Sequence, residues 1–426
     1  MPSFHMEVYG CQMNVRDSQQ LEGILLSSGY ERAESPEKAD VILVVTCAVR
    51  ERAEVRALGR ATQLAGGTRG GKPLVVICGC VAQEHGDNLL KRFPQIDIVV
   101  GPDGYQRLPE LLSSGSRAAL VEQGTDDYEG LPSIRDTFPR AFVTITRGCD
   151  NFCSYCIVPF VRGRERSRTP EAILGEVRGL VESGYREITL LGQNVNSYRS
   201  GEVSFPGLLE AVAKAAAPAW VRFVTSHPRD LGEELADVMA CHTNICRAIH
   251  LPAQSGSDAV LKGMNRGYTR AAYLEKIAIL RGRMPGIVLS TDMIAGFPEE
   301  SEADFQDSLS LLAEVRFDYG FLFRYSERKG TRAAEMPGAV PVPERLERLH
   351  RLQELQNSIT REKSSLLVGR SLPVLVTGPG TREGQLVGRT PGNRVVVVPE
   401  AGASAGNFID VRITVADGWT HYGERI

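Results

Sequence analysis

Three cysteines, Cys149, Cys153 and Cys156, fall in the spacing C-x3-C-x2-C within the loop from Arg147 to Cys156. Thiolates are soft ligands, and three of them in one tight turn suit an iron–sulfur cluster. A cubane cluster carries four irons, so three cysteines leave one iron able to bind a small molecule through nitrogen and oxygen. A zinc knuckle is one competitor, but zinc wants a fourth Cys or His nearby and none lies close in sequence. Three unrelated buried thiols are the other competitor.

A second set of three lies upstream. Cys11, Cys47 and Cys80 each come just after an apolar, strand-like run: Phe4–Tyr9, Val41–Thr46 and Leu74–Cys78. Helical patterns at Ser18–Ser28 and Glu51–Leu64 alternate with these runs, which predicts a parallel α/β sheet. Ligands of such sheets bind beyond the carboxyl ends of the strands, so the three thiols should meet on one rim. The plain alternative is small apolar residues in turns, since free Cys is commonly buried. Cys78 competes with Cys80 for the third place. It lies inside the strand body, whereas Cys80 follows Gly79 in the turn, so Cys80 is the expected ligand. A second cluster with an open iron is the natural occupant.

The elements that must carry the first triad come next. The runs Ala141–Thr146, Arg186–Leu191, Val221–Thr225, Cys246–Leu251, Ile287–Thr291 and Asp318–Arg324 read as strands. Helical stretches such as Pro170–Ser183, Leu231–Cys241, Tyr268–Arg283 and Glu302–Val315 lie between them, and Thr169-Pro170 has an N-cap-then-proline signature. Repeated β–α units predict a partial, TIM-like (β/α)6 barrel whose function lives in the loops after each strand. Those loops hold the triad, Gly192–Asn196, Ser226–Pro228, His250–Ser257, Asp292–Glu300 and Tyr325–Glu327. Such a rim is a site for a small polar ligand that touches the cluster. Arg147, Arg162, Arg164, Arg166 and Arg168 crowd the triad, and phosphate contact is weighed there against a merely solvated face. Cys241, His242, Cys246 and His250 imitate a zinc set, but structural cysteines and a loop-anchoring histidine are the expected reading.

Length and composition fit several domains. The chain has 426 residues, and a prior of about one domain per 150 residues gives two or three. We read residues 1–125 as an N-terminal domain, 137–366 as the core and 367–426 as a small β domain, with the polar stretch Leu112–Thr137 as linker. Pro343–Leu366 reads as one long charged helix. After it, Leu372–Thr377, Gly384–Gly388, Val395–Pro399 and Phe408–Ala416 have period two and predict a small open barrel. Arg370, Arg382, Arg389, Arg394 and Arg412 spread through it, so RNA binding is set against a structural cap. A net charge of −3 argues against a chain that is basic all over, so any nucleic-acid surface must be local. No run of about 18 apolar residues exists. The start, MPSFHMEVYG, lacks a signal-peptide plan, so a cytosolic protein is expected. In that compartment nine cysteines read as metal ligands or buried thiols.

The triad loop, with Tyr155 before its last cysteine, resembles the radical S-adenosylmethionine superfamily. Together with Tyr9–Asn14 (YGCQMN), Gly79–Gln83, Gly192–Asn196 and His250–Ser257, it looks like the methylthiotransferases, over essentially the whole chain. YGCQMN and CSYCIVPFVRGRERSR are similar to the tRNA branch that acts on N6-dimethylallyladenosine beside the anticodon. The resemblance implies an N-terminal cluster domain, a radical core and a C-terminal RNA-binding TRAM barrel. It implies two [4Fe–4S] clusters, one held by Cys149, Cys153 and Cys156 and an auxiliary one held by Cys11, Cys47 and Cys80. S-adenosylmethionine would supply both radical and methyl. Tyr155 would lie near its adenine, Gly192 and Gln193 near its methionine amino group, and Ile294 and Phe297 on the adenine side. Relatives carry Gly-Gly-Glu where this chain has Gly192-Gln193-Asn194, so a carboxylate there is lost and a backbone contact is expected.

The reaction so implied replaces an aromatic C–H by C–SCH3. An sp2 C–H on adenine is beyond any side-chain base, whereas a cofactor-derived radical can open it. The expected partners are tRNA, a low-potential electron donor such as flavodoxin or ferredoxin, and a sulfur source, with no membrane and a monomeric chain. Arginines would position phosphates while a pocket reads the extruded base. Rivals of the same fold act on threonylcarbamoyladenosine or on a ribosomal protein. A rival of another class is a non-catalytic iron–sulfur RNA-binding protein.

Overall fold

The computed structural model describes residues 1–49, 51–66, 73–123, 130–400 and 402–426. They form two compact units. The first holds residues 1–136, 147–150 and 156–166; the second holds 137–146, 151–155 and 167–426.

In the first unit, β-branched residues that are apolar on both faces build the middle of a sheet. Val41–Thr46 is buried at every position. The sheet runs in the order Glu31–Arg32, Ser3–Tyr9, Val41–Thr46, Leu74–Gly79, Ile98–Val100, Ala118–Leu120, and every pair is parallel. Ile42, Val44, Val75 and Ile77 pack on one face. Leu43, Val45, Val76 and Cys78 pack on the other. Tyr9, Thr46 and Gly79 lie side by side in register, so three neighbouring strands end level. The parallel sheet is as the sequence predicts, but two stretches differ. The first helix is Gln12–Ser27 and so begins at once after Cys11. Its first turns bury Asn14, Arg16, Asp17, Gln19 and Gln20, so no apolar periodicity marks the start. The stretch read as linker contains the end of the helix Leu108–Ser114 and the edge strand Ala118–Leu120. Residues 124–129 of it lie outside the described residues.

The second unit carries the repeated β–α pattern as two three-stranded parallel sheets. Glu187–Leu191 is central between Arg140–Thr144 and Trp220–Phe223, and Val288–Ala295 is central between Ala248–His250 and Tyr319–Arg324. An isolated parallel bridge pairs Val221 with Ile245, just ahead of Ala248–His250. The result is a partial barrel with helices outside, including Pro170–Glu182, Phe205–Ala216, Arg270–Arg283 and Glu302–Val315. Outward strand residues such as Val143, Ile188, Leu190, Val221, Leu289 and Met293 share one core with those helices. The expected N-cap is present: Thr169 Oγ1 accepts from the Ala172 N–H at 3.4 Å. The fifth strand is longer than its sequence signal. Asp292–Ala295, assigned above to a loop, stay paired with Phe321–Arg324.

A helix from Val342 to Ser365 leads into the tail. The tail is a closed barrel of five strands, in the order Ser371–Pro379, Gln385–Arg389, Val395–Pro399, Thr420–Arg425, Phe408–Asp417. The expected open barrel is thus corrected by the last strand. Thr420–Arg425 pairs with both Val395–Pro399 and Phe408–Asp417 and leaves no edge. Its inward residues include His421 and Gly423, so it shows no apolar alternation.

Candidate metal centres

In the first unit, Cys11, Cys47 and Cys80 stand just beyond three adjacent strand ends. Cys47 and Cys80 are buried and Cys11 is half-buried. Gly79 makes the turn into Cys80 with φ +98°, and a Cβ there would lie 2.5 Å from the Thr46 carbonyl oxygen. Only glycine fits both conditions. Asn14 of YGCQMN ties the rim together. Its Oδ1 accepts from the Cys11 N–H at 3.1 Å, and its Nδ2 donates to the Thr46 carbonyl at 2.9 Å. A hydrogen bond from Cys47 holds the Cys11 thiol down at about 6, against its burial. The same bond, with burial, pushes Cys47 up. Burial raises Cys80, opposed by the Arg162 guanidinium. Arg162 donates from Nε to Cys80 Sγ at 3.1 Å, while its Nη1 lies 3.2 Å from Asp17 Oδ1 and its Nη2 2.5 Å from Asp17 Oδ2. Cys78 packs in the sheet core beside Val76 and Val45 instead, where burial pushes its thiol up.

The cysteines of the C-x3-C-x2-C loop are divided in this partition of the chain. Residues 147–150 and 156–166, with Cys149 and Cys156, pack with the first unit, and residues 151–155, with Cys153, pack with the second. In the first unit, Gly148 has φ +79°, and a Cβ there would lie 2.0 Å from the Arg164 carbonyl oxygen. The Cys149 N–H donates to the Gly163 carbonyl at 3.2 Å. In the second unit, a segment that sequence reasoning missed, Gly263–Tyr268, cradles Asn151–Tyr155. Ser154 N–H donates to the Met264 carbonyl at 3.0 Å, and Asn265 Nδ2 to the Phe152 carbonyl at 3.0 Å. Arg266 is 4% exposed and its Nη1 donates to Cys153 Sγ at 3.2 Å. Its sequence signal is faint: Gly-Met-Asn-Arg-Gly-Tyr, an arginine outside any periodic run.

The expected S-adenosylmethionine residues fall in the second unit. Tyr155, Ile294 and Phe297 pack around one small apolar cluster with Val260, Met264 and Tyr325. Ile294 is on the strand Val288–Ala295, and Phe297 follows it. Gly192 is pressed against Thr146, where a Cβ would meet Oγ1 at 2.0 Å, and Gln193 is half-buried beside it. The neighbouring loops are sewn together: Asn196 Nδ2 donates to the His227 carbonyl at 2.9 Å and Asn196 Oδ1 accepts from the His227 N–H at 2.8 Å. Burial, Arg266 and Arg229 push His227 down to about 2, so its ring stays neutral.

Two other readings change. The arginines around the triad are mostly used inside the protein. Arg162 pairs with Asp17, Arg166 with Asp103 and Arg168 with Glu176, while Arg147 is buried, 4.0 Å from Asp17. Only Arg164 is exposed, and it sits 2.7 Å from Asp150. Phosphate contact by this group therefore gives way to structure. The zinc-like set is not assembled either: Cys241 is exposed, Cys246 is buried near Arg222, and His250 meets Ser290 at 3.0 Å and Asp292 at 3.3 Å on the neighbouring strand, so the loop anchor expected of it is instead a contact between strands.

The donor sets suit iron–sulfur chemistry. Each is made of thiols, and each has a buried guanidinium whose N–H points at one sulfur. Such donors complement the negative charge of a thiolate-held cluster.

Three family models match stretches of the chain. Residues 3–101 match the uncharacterized protein family UPF0004, residues 143–312 the radical SAM superfamily, and residues 366–425 the TRAM domain. The radical S-adenosylmethionine methyltransferase TsrM from Kitasatospora setae, solved with cobalamin and a [4Fe–4S] cluster, superimposes with a TM-score of 0.60 at 15% identity. The match covers 78% of this chain and 77% of that one, and it shows the fold alone. Curated relatives are far nearer in sequence. The tRNA-2-methylthio-N(6)-dimethylallyladenosine synthase of Moorella thermoacetica is 46% identical over 100% of this chain and 98% of its own length. That of Chlorobium luteolum is 44% identical over 99% of this chain and 97% of its own. With nearly half its residues identical to these relatives from end to end, the chain belongs to the family of tRNA-2-methylthio-N(6)-dimethylallyladenosine synthases.

Proposed function

We propose that this chain converts N6-dimethylallyladenosine beside the anticodon of tRNA into its 2-methylthio derivative, with S-adenosylmethionine as source of both radical and methyl. Membership of the radical SAM superfamily implies S-adenosylmethionine and a [4Fe–4S] cluster. In this reading Cys149, Cys153 and Cys156 hold that cluster, and Cys11, Cys47 and Cys80 hold a second [4Fe–4S] cluster. When bound, these groups would supply the radical that opens the ring C–H and hold the sulfur that replaces it. The protein's own part is placement. Tyr155, Ile294 and Phe297 give the adenine of S-adenosylmethionine an apolar wall, and the Gly192 backbone, with Gln193, faces its methionine end. The closed C-terminal barrel holds tRNA. The electron comes from a low-potential carrier such as flavodoxin or ferredoxin, the sulfur from a separate source, and the chain acts as a monomer.

The observation that carries this reading is the second cysteine triad, convergent on three level strand ends, in a chain of this family. The test is anaerobic incubation of the reconstituted full chain with S-adenosylmethionine, reductant and tRNA that carries N6-dimethylallyladenosine, followed by nucleoside mass spectrometry. The methylthio nucleoside is expected. Cleavage of S-adenosylmethionine without it, and modification of threonylcarbamoyladenosine or a ribosomal protein instead, would move the chain to a rival substrate. No cleavage at all would favour a non-catalytic RNA-binding role.

A further inference from the structure

The two triads have matching guanidinium donors but differ in charge balance. At Cys80 the donor is Arg162, and its cation is met by Asp17, which is 0% exposed and also lies 4.0 Å from the buried Arg147. At Cys153 the donor is Arg266. The other partners of Arg266 are neutral: the Pro252 carbonyl at 3.1 Å, Tyr268 Oη at 3.1 Å and Tyr155 Oη at 3.4 Å. The ring of Tyr268 lies under the guanidinium, 5.3 Å away. Among the described residues, no carboxylate forms an ion pair with Arg266. A buried cation without an anion is costly, and proteins pair such charges or place them against an anionic group. Next to Cys153 that anion is the thiolate-held cluster itself. The neighbourhood offers little relief: His227 is neutral, and Arg229 adds a second cation, balanced by Asp230 at 3.2 Å.

We infer that Arg266 is a positioning residue that raises the reduction potential of the cluster at Cys149, Cys153 and Cys156, and that Asp17 lessens the same effect at the cluster of Cys11, Cys47 and Cys80. An uncompensated positive charge hydrogen-bonded to a ligand sulfur favours the reduced, more negative cluster. A carboxylate beside the guanidinium keeps the hydrogen bond and weakens the field, even though Asp17 is shared with Arg147. The protein thereby directs the incoming electron to the cluster that cleaves S-adenosylmethionine. This inference rests on the ligand assignment of the preceding section.

Each cluster is read alone in the full chain, reconstituted anaerobically, by titration with titanium(III) citrate followed by electron paramagnetic resonance. Alanine at Cys11, Cys47 and Cys80 isolates the first cluster, and alanine at Cys149, Cys153 and Cys156 isolates the second. Arg266→Gln should lower the midpoint of the first by at least tenfold in the reduction equilibrium, about 59 mV for one electron. Arg266→Lys, which keeps the charge, should restore most of it. Asp17→Asn, which frees the Arg162 cation, should raise the midpoint of the second. An unmoved midpoint in iron-loaded Arg266→Gln, or the same drop in Arg266→Lys, overturns the inference. Should Arg266→Gln not take up iron, Asp17→Asn decides: an unchanged midpoint of the second cluster overturns it too. Full iron content after Cys153→Ala or Cys80→Ala would instead refute the ligand assignment, a separate failure.

Discussion

Cys78 and Cys80 differ by two positions and by everything around them. Cys78 packs with Leu43, Val45 and Val76 inside the sheet, whereas Cys80 meets Arg162 and the field of Cys11 at the rim. If the second cluster is held as proposed, Cys80→Ala should remove its iron while S-adenosylmethionine cleavage persists. Cys78→Ala should keep the iron and cost about 1 kcal/mol or more in stability, as loss of a buried sulfur does. Iron analysis together with urea unfolding separates the two; iron lost from Cys78→Ala and kept in Cys80→Ala would reverse the assignment. The six candidate cysteines stand out in the sequence, three by their C-x3-C-x2-C spacing and three by falling just after apolar runs. Arg266 and Asn14 were not legible. An arginine or asparagine takes its meaning from the partner that the fold supplies, and for Arg266 that partner lies 113 positions away.

At the scale of elements, strands were readable where both faces are apolar and obscure where they are not. Val41–Thr46 and Val395–Pro399 were found at their observed bounds. Thr420–Arg425, polar outside and lined by His421 and Gly423, was missed, and with it the closure of the barrel. The helix after Cys11 was placed late because buried polar groups, not apolar stripes, define its first turns. The turn at Gly79 offers a test at this scale. Gly79→Ala forces a side chain into φ +98° and against the Thr46 carbonyl. A strained residue of this kind costs about 1–3 kcal/mol. We expect a lower urea midpoint and, because Cys80 is the next residue, less iron in the variant that lacks Cys149, Cys153 and Cys156. Unchanged stability and iron together would show that the turn tolerates a side chain and does not set Cys80.

For the chain as a whole, a net charge of −3 means that any attraction for tRNA comes from local patches. The arginines of the tail, which looked alike in sequence, separate in the folded chain. Arg394 is 4% exposed, pairs with Asp318 at 2.7 Å and donates to Ser364 at 3.2 Å, so it fastens the barrel to the core. Arg389 is half-buried and bonded to Asn393 at 3.0 Å. Arg370, Arg382 and Arg412 are exposed. Phosphate contacts made by exposed cations release counterions, so each one lost should weaken tRNA binding at low salt and reduce the slope of log affinity against log salt by about one. Gln at Arg370, Arg382 and Arg412 should therefore flatten that slope while leaving the urea midpoint in place. Arg394→Gln should do the reverse, since it strands Asp318 with Lys363 as its remaining cation at 2.7 Å and loosens a buried network. Filter binding of tRNA across a salt series, with unfolding of the same variants, reads both effects. A slope unchanged by the three exposed substitutions would leave the barrel as a structural cap and move tRNA recognition to the core.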